Sequence, residues 1–205
     1  MGLDGAIIAA KLSDKHIGSV FTDEQDLLKS IMKIHNIESF DLDPMYSRGD
    51  FYKEIPKPKY TSDILTGVDA RHLPYENNEI STMILDPPFL FGIHGPNGIQ
   101  GSYSGSKRFG IFKDYREISI FYQEILFEAY RILKRKGILI FKCQDYTDNK
   151  TWMMHCFVYA KAVELGFYAK DLAILYLSRN KVANSQTTQR HLRKHHTYFW
   201  VFVKN

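Results

Sequence analysis

Ser81-Thr82-Met83-Ile84-Leu85-Asp86-Pro87-Pro88-Phe89 is the stretch on which the reading of this chain turns. A short, β-prone run halted by two prolines reads as a buried strand ending at Asp86. Each proline ring holds φ at about −65° and removes a backbone donor. A carboxylate, two stiffened peptides and an aromatic therefore stand fixed at the strand's end, a set suited to gripping a flat ring that bears an amine. A segment with glycines at 92, 95, 98, 101, 105 and 110 follows.

Strands and helices alternate outward from that point. Thr22-Asp23-Glu24-Gln25 predicts a helix start, with Gln25 three residues after Thr22 as in a capping box, and Leu27, Leu28, Ile31 and Ile34 follow at helical spacing. Strands are expected at Glu38–Leu42, ending at Asp43-Pro44, and near Tyr60–Ile64; Gly67-Val68-Asp69 closes a further acidic segment. A long helix is predicted from Asp114 or Tyr115 to Lys134, closed by Lys134-Arg135-Lys136-Gly137, cations and a glycine being favoured there. Ile138–Cys143 is apolar except for Lys142, as in a buried parallel strand; Lys142 is read as snorkelling or facing the site. A helix over Trp152–Leu165 and strands Tyr168–Leu177 and Thr197–Val203 complete the chain. This order predicts an α/β fold with an open, mostly parallel sheet. Ligands of such sheets bind beyond the strands' carboxyl ends, where Asp43, Asp63, Asp69 and Asp86 are expected.

With 205 residues, 44% of them hydrophobic, the chain suits a single globular domain. Fourteen Phe and 13 Tyr supply stacking surfaces. The net charge is only +4, but no acid occurs after Asp171. That stretch carries Arg179, Lys181, Arg190, Arg193 and Lys194, and suggests a polyanionic partner. Cys143 and Cys156 have no CxxC spacing, so neither a disulfide framework nor zinc is expected and a reducing cytoplasm fits. His191 and His195 lack further ligands, so no metal is expected. No apolar window approaches the ~20 residues of a membrane span, and the first residues lack an export or lipid-anchor signal.

The chemistry that suits the tetrapeptide is transfer of a carbon group to an aromatic amine. Such a nitrogen is a poor nucleophile because its lone pair is delocalised into the ring. Acceptors on both N–H bonds draw it toward tetrahedral geometry. The Asp86 carboxylate and the Pro87 carbonyl are the candidate pair, with Phe89 stacking on the ring for roughly 1–3 kcal/mol. Charge develops on the nitrogen during attack, so fixed acceptors favour the transition state over the ground state.

Several segments carry a family resemblance. Asp86-Pro87-Pro88-Phe89 resembles the [DN]-P-P-[YFW] motif of the S-adenosylmethionine-dependent N6-adenine and N4-cytosine methyltransferases. Asp43-Pro44-Met45-Tyr46-Ser47-Arg48-Gly49-Asp50 is similar to their D-P-x-x-G-x-G-[TS] cofactor loop, with Ser47 in place of the first loop glycine. Val68 to Tyr75 resembles the acidic segment beside the cofactor's adenine, and Ile132 to Leu139 the helix-to-strand junction.

The resemblance implies a Rossmann-like class I methyltransferase fold, a mostly parallel seven-stranded sheet with a terminal antiparallel strand. It covers about Glu38 to Lys204, within one domain over residues 1–205: an N-terminal helical extension at 1–36, a flexible loop at 90–113 and a basic connection at 178–196. It implies S-adenosylmethionine held by Asp43, Pro44, Ser47, Gly49, Asp63, Asp69 and Ala70, and a target base held by Asp86, Pro87, Pro88 and Phe89. Lys107, Arg108, Arg179, Lys181, Arg190, Arg193 and Lys194 are the expected nucleic-acid contacts. The implied reaction is methylation of adenine N6 in DNA. Cytosine N4, structured RNA, and an inactive nucleic-acid-binding subunit stay open as alternatives. The chain lacks room for a large recognition domain, so a protein partner that supplies target recognition also stays open.

Overall fold

A computed structural model describes residues 16–89, 112–147, 150–176, 191–192 and 194–205. The glycine-rich segment, with the expected contacts Lys107 and Arg108, and the expected contacts Arg179, Lys181, Arg190 and Arg193 lie outside these residues.

The core is a seven-stranded sheet. In chain order its strands are β1 (Val20–Phe21), β2 (Leu42–Asp43), β3 (Tyr60–Thr61), β4 (Ile80–Leu85), β5 (Leu133–Cys143), β8 (Phe167–Tyr176) and β9 (His196–Lys204). A small antiparallel hairpin, β6 (Tyr146–Thr147) with β7 (Thr151–Trp152), stands apart. The sheet runs β1-β8-β9-β5-β4-β2-β3. The pairs β1/β8, β2/β3, β2/β4 and β4/β5 are parallel, and only β9 runs against both its neighbours. The expected mostly parallel seven-stranded α/β sheet with a late antiparallel strand is therefore present.

Among the described residues three helices cover the sheet: α1 (Glu24–His35), α2 (Tyr115–Ile132) and α3 (Met154–Leu165). α2 and α3 bury Tyr122, Ile125, Leu126, Val158 and Ala162 with Leu85, Leu139 and Phe141 in one cluster. α1 buries Leu27, Leu28 and Ile31 with Ile84, Ile140 and Phe199 in a second. Each such full burial stabilises by about 1.5–3 kcal/mol.

Some boundaries differ from expectation for local reasons. The cap of α1 is Asp23 rather than Thr22; its carboxylate accepts from the N–H groups of Gln25 and Asp26. Gln25 forms no capping box, because its side-chain oxygen accepts instead from the Glu54 N–H at 2.9 Å. Strands β2 and β3 have only two residues each, and Ile64–Thr66, expected to begin within a strand, is a 3₁₀ turn capped by Asp63. Asp69 consequently lies in the loop beyond that turn, not at a strand end. Helix α2 stops at Ile132, and Lys134–Lys136 belong to β5 rather than to a helical last turn. Ile80 pairs Leu133 while Thr82 pairs Ile138, so the basic residues bulge out of the ladder. The left-handed residue is Lys136 at φ 62°. Gly137 is required by contact, since a Cβ there would lie 2.7 Å from the Lys134 carbonyl oxygen.

Candidate active site at the carboxyl rim of the sheet

Parallel β2 and β4 end side by side, which brings Asp43 and Asp86 to the same rim. Asp41 fixes the register, its carboxylate accepting from the N–H groups of Ser81 at 2.7 Å and Thr82 at 3.2 Å.

The tetrapeptide is held from two sides. The buried Tyr122 hydroxyl of α2 donates to the Pro88 carbonyl at 2.9 Å. Burial pushes this phenol well above its ordinary range, so it stays a neutral donor. On the other side, the Lys142 ammonium of β5 donates to Asp86 Oδ2 at 3.2 Å and to Glu24 Oε1 at 2.9 Å. Lys142 is 14% exposed and lies against Phe51 and Phe199, 4.7 and 5.5 Å from the ring centres. It thus faces the site. Burial alone would lower its pKa, but Asp86 and Glu24 together raise it, which keeps the ammonium charged. Asp86 is raised, mainly by desolvation, with Lys142 opposing. Its Oδ1 is buried and has no hydrogen-bond partner among the described residues. A buried acceptor without a partner carries a desolvation cost of about 1–3 kcal/mol; here that cost leaves one carboxylate lone-pair face available for a donor.

A cavity of about 180 Å³ opens beside the tetrapeptide, lined by Pro44, Met45, Asp63, Ile64, Val68, Asp69, Ala70, Arg71, Pro88, Phe112 and Phe121. One water needs only about 10–15 Å³, so the space suits an organic ligand. The Asp69 carboxylate is gripped by Arg71, with the guanidinium 2.6 Å from Oδ2 and Nε 3.0 Å from both oxygens. Hydrogen bonds from Arg71 hold Asp69 below the usual carboxylate range. Arg71 also lies over Phe121, 5.9 Å from the ring centre. The segment is anchored to α2: the Leu73 N–H donates to Glu128 Oε1 at 2.6 Å, and Arg131 reaches the Leu73 and Tyr75 carbonyls at 3.1 and 2.8 Å.

Of the expected cofactor residues, Pro44, Asp63, Asp69 and Ala70 line this cavity together with Pro88. Asp63 also has a structural task, accepting from Ser47 N–H at 3.1 Å and Leu65 N–H at 2.9 Å. Asp43 is buried and occupied within its own loop. Tyr52 donates to Oδ2 at 2.7 Å and the Met45 N–H to Oδ1 at 2.9 Å. Ser47 adopts φ 51° and Gly49 φ 72°. A Cβ on Gly49 would fall 2.5 Å from the Tyr46 hydroxyl, and at this positive φ a side chain is strained. Lys194 is half-buried in the segment before β9. Glu24, Tyr122, Arg71 and the Glu128–Arg131 pair are contributors that local motif reading missed. Among the described residues no group of three His, Cys, Asp or Glu side chains could hold a metal, and no helix is long and apolar enough to cross a membrane.

Two predictions arise here. Burial raises the Asp43 carboxyl from 3.8 to about 7, its bonds to Tyr52 and Met45 opposing. A folded value above the unfolded one contributes stability that is fully present below pH ~4 and lost as pH rises through about 7. The loss is at most about 4 kcal/mol. Urea denaturation at pH 5 and pH 8 is expected to show lower stability at pH 8, with the difference reduced in Asp43→Asn; an unchanged difference rules Asp43 out as its source. Ser47→Gly relieves a left-handed conformation and is expected to stabilise by about 1 kcal/mol, read as a higher urea midpoint. A lower midpoint shows that the Ser47 side chain contributes more than its strain costs.

Seven strands with one reversed strand, and an acid–proline–proline–aromatic turn at the carboxyl rim, define a methyltransferase fold. The profile of the DNA methylase family matches residues 80–205. This is more than half the chain, which belongs to the N6/N4 DNA methylase family. Similar solved structures include a protein described as a candidate DNA modification methylase from Thermus thermophilus, complexed with S-adenosyl-L-methionine. That match has 17% identity, 66% of this chain and 53% of that one, and a TM-score of 0.46. PvuII DNA methyltransferase, described as cytosine-N4-specific, matches at 12% identity over 67% of this chain and 48% of that one, TM-score 0.48. TrmN from Thermus thermophilus matches at 14% identity over 87% and 48%, TM-score 0.46. The chain spans about half the length of these structures. No curated protein matches the chain significantly in sequence.

Proposed function

We propose that the protein transfers a methyl group from S-adenosylmethionine to an exocyclic amino group of a DNA base, adenine N6. The observation that carries this reading is the Asp86 carboxylate: Oδ2 is fixed by Lys142, and Oδ1 is buried without a partner among the described residues. The cavity has the residues such a donor needs. Val68, Ala70, Phe112 and Phe121 offer apolar and aromatic walls for an adenine, and Asp63 and Asp69 supply acceptors for hydroxyl and amino groups. When bound, S-adenosylmethionine supplies an electrophilic methyl group.

The chain's own residues do the rest. Oδ1 of Asp86 accepts one N–H of the target amine. Tyr122 holds the carbonyl of Pro88, the residue after Pro87, and the two proline rings restrict φ on either side of the Pro87 carbonyl, which is the acceptor for the second N–H. Phe89, half-buried beside them, offers a stacking face. Both acceptors tighten as positive charge grows on the nitrogen, so their contribution is larger in the transition state. A base in duplex DNA has to leave its stack, at a cost of a few kcal/mol. The basic residues expected to meet phosphates, Lys194 among them, would offset part of that cost.

The test is incubation with methyl-labelled donor and, separately, duplex DNA, single-stranded DNA and structured RNA, followed by digestion to nucleosides. Label in N6-methyladenine from DNA is expected. Label in N4-methylcytosine or in RNA replaces the assigned base or polymer, and no label on any of them overturns the proposal.

A further inference from the structure

A second constellation uses none of the residues that line the cofactor cavity. Asp145 follows β5, two residues beyond Cys143; His155 and Cys156 lie in the first turn of α3. The Asp145 side chain is 2% exposed, and its Oδ1 accepts from His155 Nδ1 at 2.7 Å and from the His155 backbone N–H at 3.2 Å. The Tyr198 hydroxyl donates to Asp145 Oδ2 at 3.4 Å, and the Tyr198 and His155 rings stack with centres 4.1 Å apart. The Trp200 indole N–H donates to the His155 carbonyl at 3.2 Å. The imidazole is therefore held by hydrogen bonds and by a ring face. In the tautomer whose Nδ1–H donates to Asp145, Nε2 is the acceptor nitrogen of the ring. That nitrogen lies 3.3 Å from the sulfur of Cys156, which is exposed.

A nucleophile within reach of a base, and a base oriented by a third buried group, is the pattern of an activated nucleophile. The methyl-transfer reading uses none of these three residues.

We propose that Cys156, His155 and Asp145 form a reactive-thiol site whose co-reactant is a hydroperoxide. The Cys156 sulfur attacks one peroxide oxygen, forming an S–O bond as the O–O bond breaks. The thiol proton passes to His155 Nε2 and then to the departing alkoxide or hydroxide. The sulfur is oxidised by two electrons to a sulfenic acid, and the peroxide is reduced to an alcohol or water. Cys156 and His155 touch the reacting atoms; Asp145 is a positioning residue. The inference is independent of methyl transfer, and its readouts are on sulfur.

The intact protein is treated with limiting iodoacetamide, in competition with N-acetylcysteine, and sites are read by mass spectrometry. A second sample receives hydrogen peroxide and a sulfenic-acid trap. Cys143 is fully buried and serves as the internal control for folding. Cys156 is expected to alkylate about tenfold faster than the model thiol, a modest share of what a positioned base provides, and to carry the trap after peroxide. His155→Gln keeps a donor for Asp145 and lacks the base; it is expected to lose that advantage and the trap adduct. Asp145→Asn is expected to change the form of the rate's pH profile, whereas a purely structural role lowers the rate evenly at all pH. The profile is read with the neighbouring groups in view: Asp145 beyond β5, Cys143 within it, and Tyr198 and His196 on β9. Alkylation of wild-type Cys156 no faster than N-acetylcysteine, or no trap adduct after peroxide, overturns the proposal without any variant having to fold.

Discussion

Asp86→Ala lowers the rate of methyl transfer to DNA by about a thousandfold, the upper range for loss of one preorganised electrostatic partner. Asp86→Asn falls between wild type and Ala. The amide oxygen of Asn still accepts an N–H bond, but it carries no charge to meet the positive charge that develops on nitrogen. Asp86 Oδ1 has no partner among the described residues, whereas Oδ2 pairs with Lys142 at 3.2 Å, so Ala is expected to lose stability as well as activity, and rates are compared under conditions in which urea melts show each variant folded. Initial rates with saturating donor and DNA give the ranking. Equal rates for wild type and Ala would remove Asp86 from the chemistry. The same argument fixes a pH dependence. The carboxylate has to be ionised to meet that charge, and desolvation raises its pKa. Activity is therefore lost on acidification at a higher pH than an ordinary aspartate would give, and Asp86→Asn lacks that limb.

The tetrapeptide was legible because two prolines after a β-prone run leave few conformations, and a strand end at that rim is where α/β sheets bind ligands. The sheet class followed from alternation over the longer elements. Alternation gives no purchase on Leu42–Asp43 or Tyr60–Thr61, whose two-residue strands exist through pairing with each other and, for Leu42, with Met83. The Lys134 to Gly137 signal misled because basic residues before a glycine suit a helix end and a bulge alike. Only the pairing of Ile80 with Leu133 and Thr82 with Ile138 separates the two.

The residues around the tetrapeptide were harder to read, since each acts over a long separation in sequence. Tyr122 meets Pro88 across 34 residues and Leu73 meets Glu128 across 55. Lys142 left a trace, a single cation in an apolar strand, and sequence could narrow it only to a snorkelling or site-facing position. Its partner Glu24 lies 118 residues away, outside the segment matched to the family.

Lys142→Met is the variant with the largest expected effect on stability. It substitutes an apolar side chain of similar length, so the contacts with Phe51 and Phe199 persist while the charge goes. Asp86 and Glu24, 33% and 28% exposed, then face each other at the end of the sheet without a cation between them. Removing one partner of a buried ion pair costs about 3–5 kcal/mol; partial solvation of both carboxylates brings the expectation down to about 2–3 kcal/mol. Adding Glu24→Gln relieves one of the two negative charges and is expected to recover part of the loss, a coupling that a double-mutant cycle in urea measures directly. Methyl transfer does not recover with it, because Asp86 Oδ2 still has nothing to hold the carboxylate in place. Stability restored without activity would mark Lys142 as the residue that positions Asp86, whereas joint recovery would make the pair a purely structural link between α1 and the sheet.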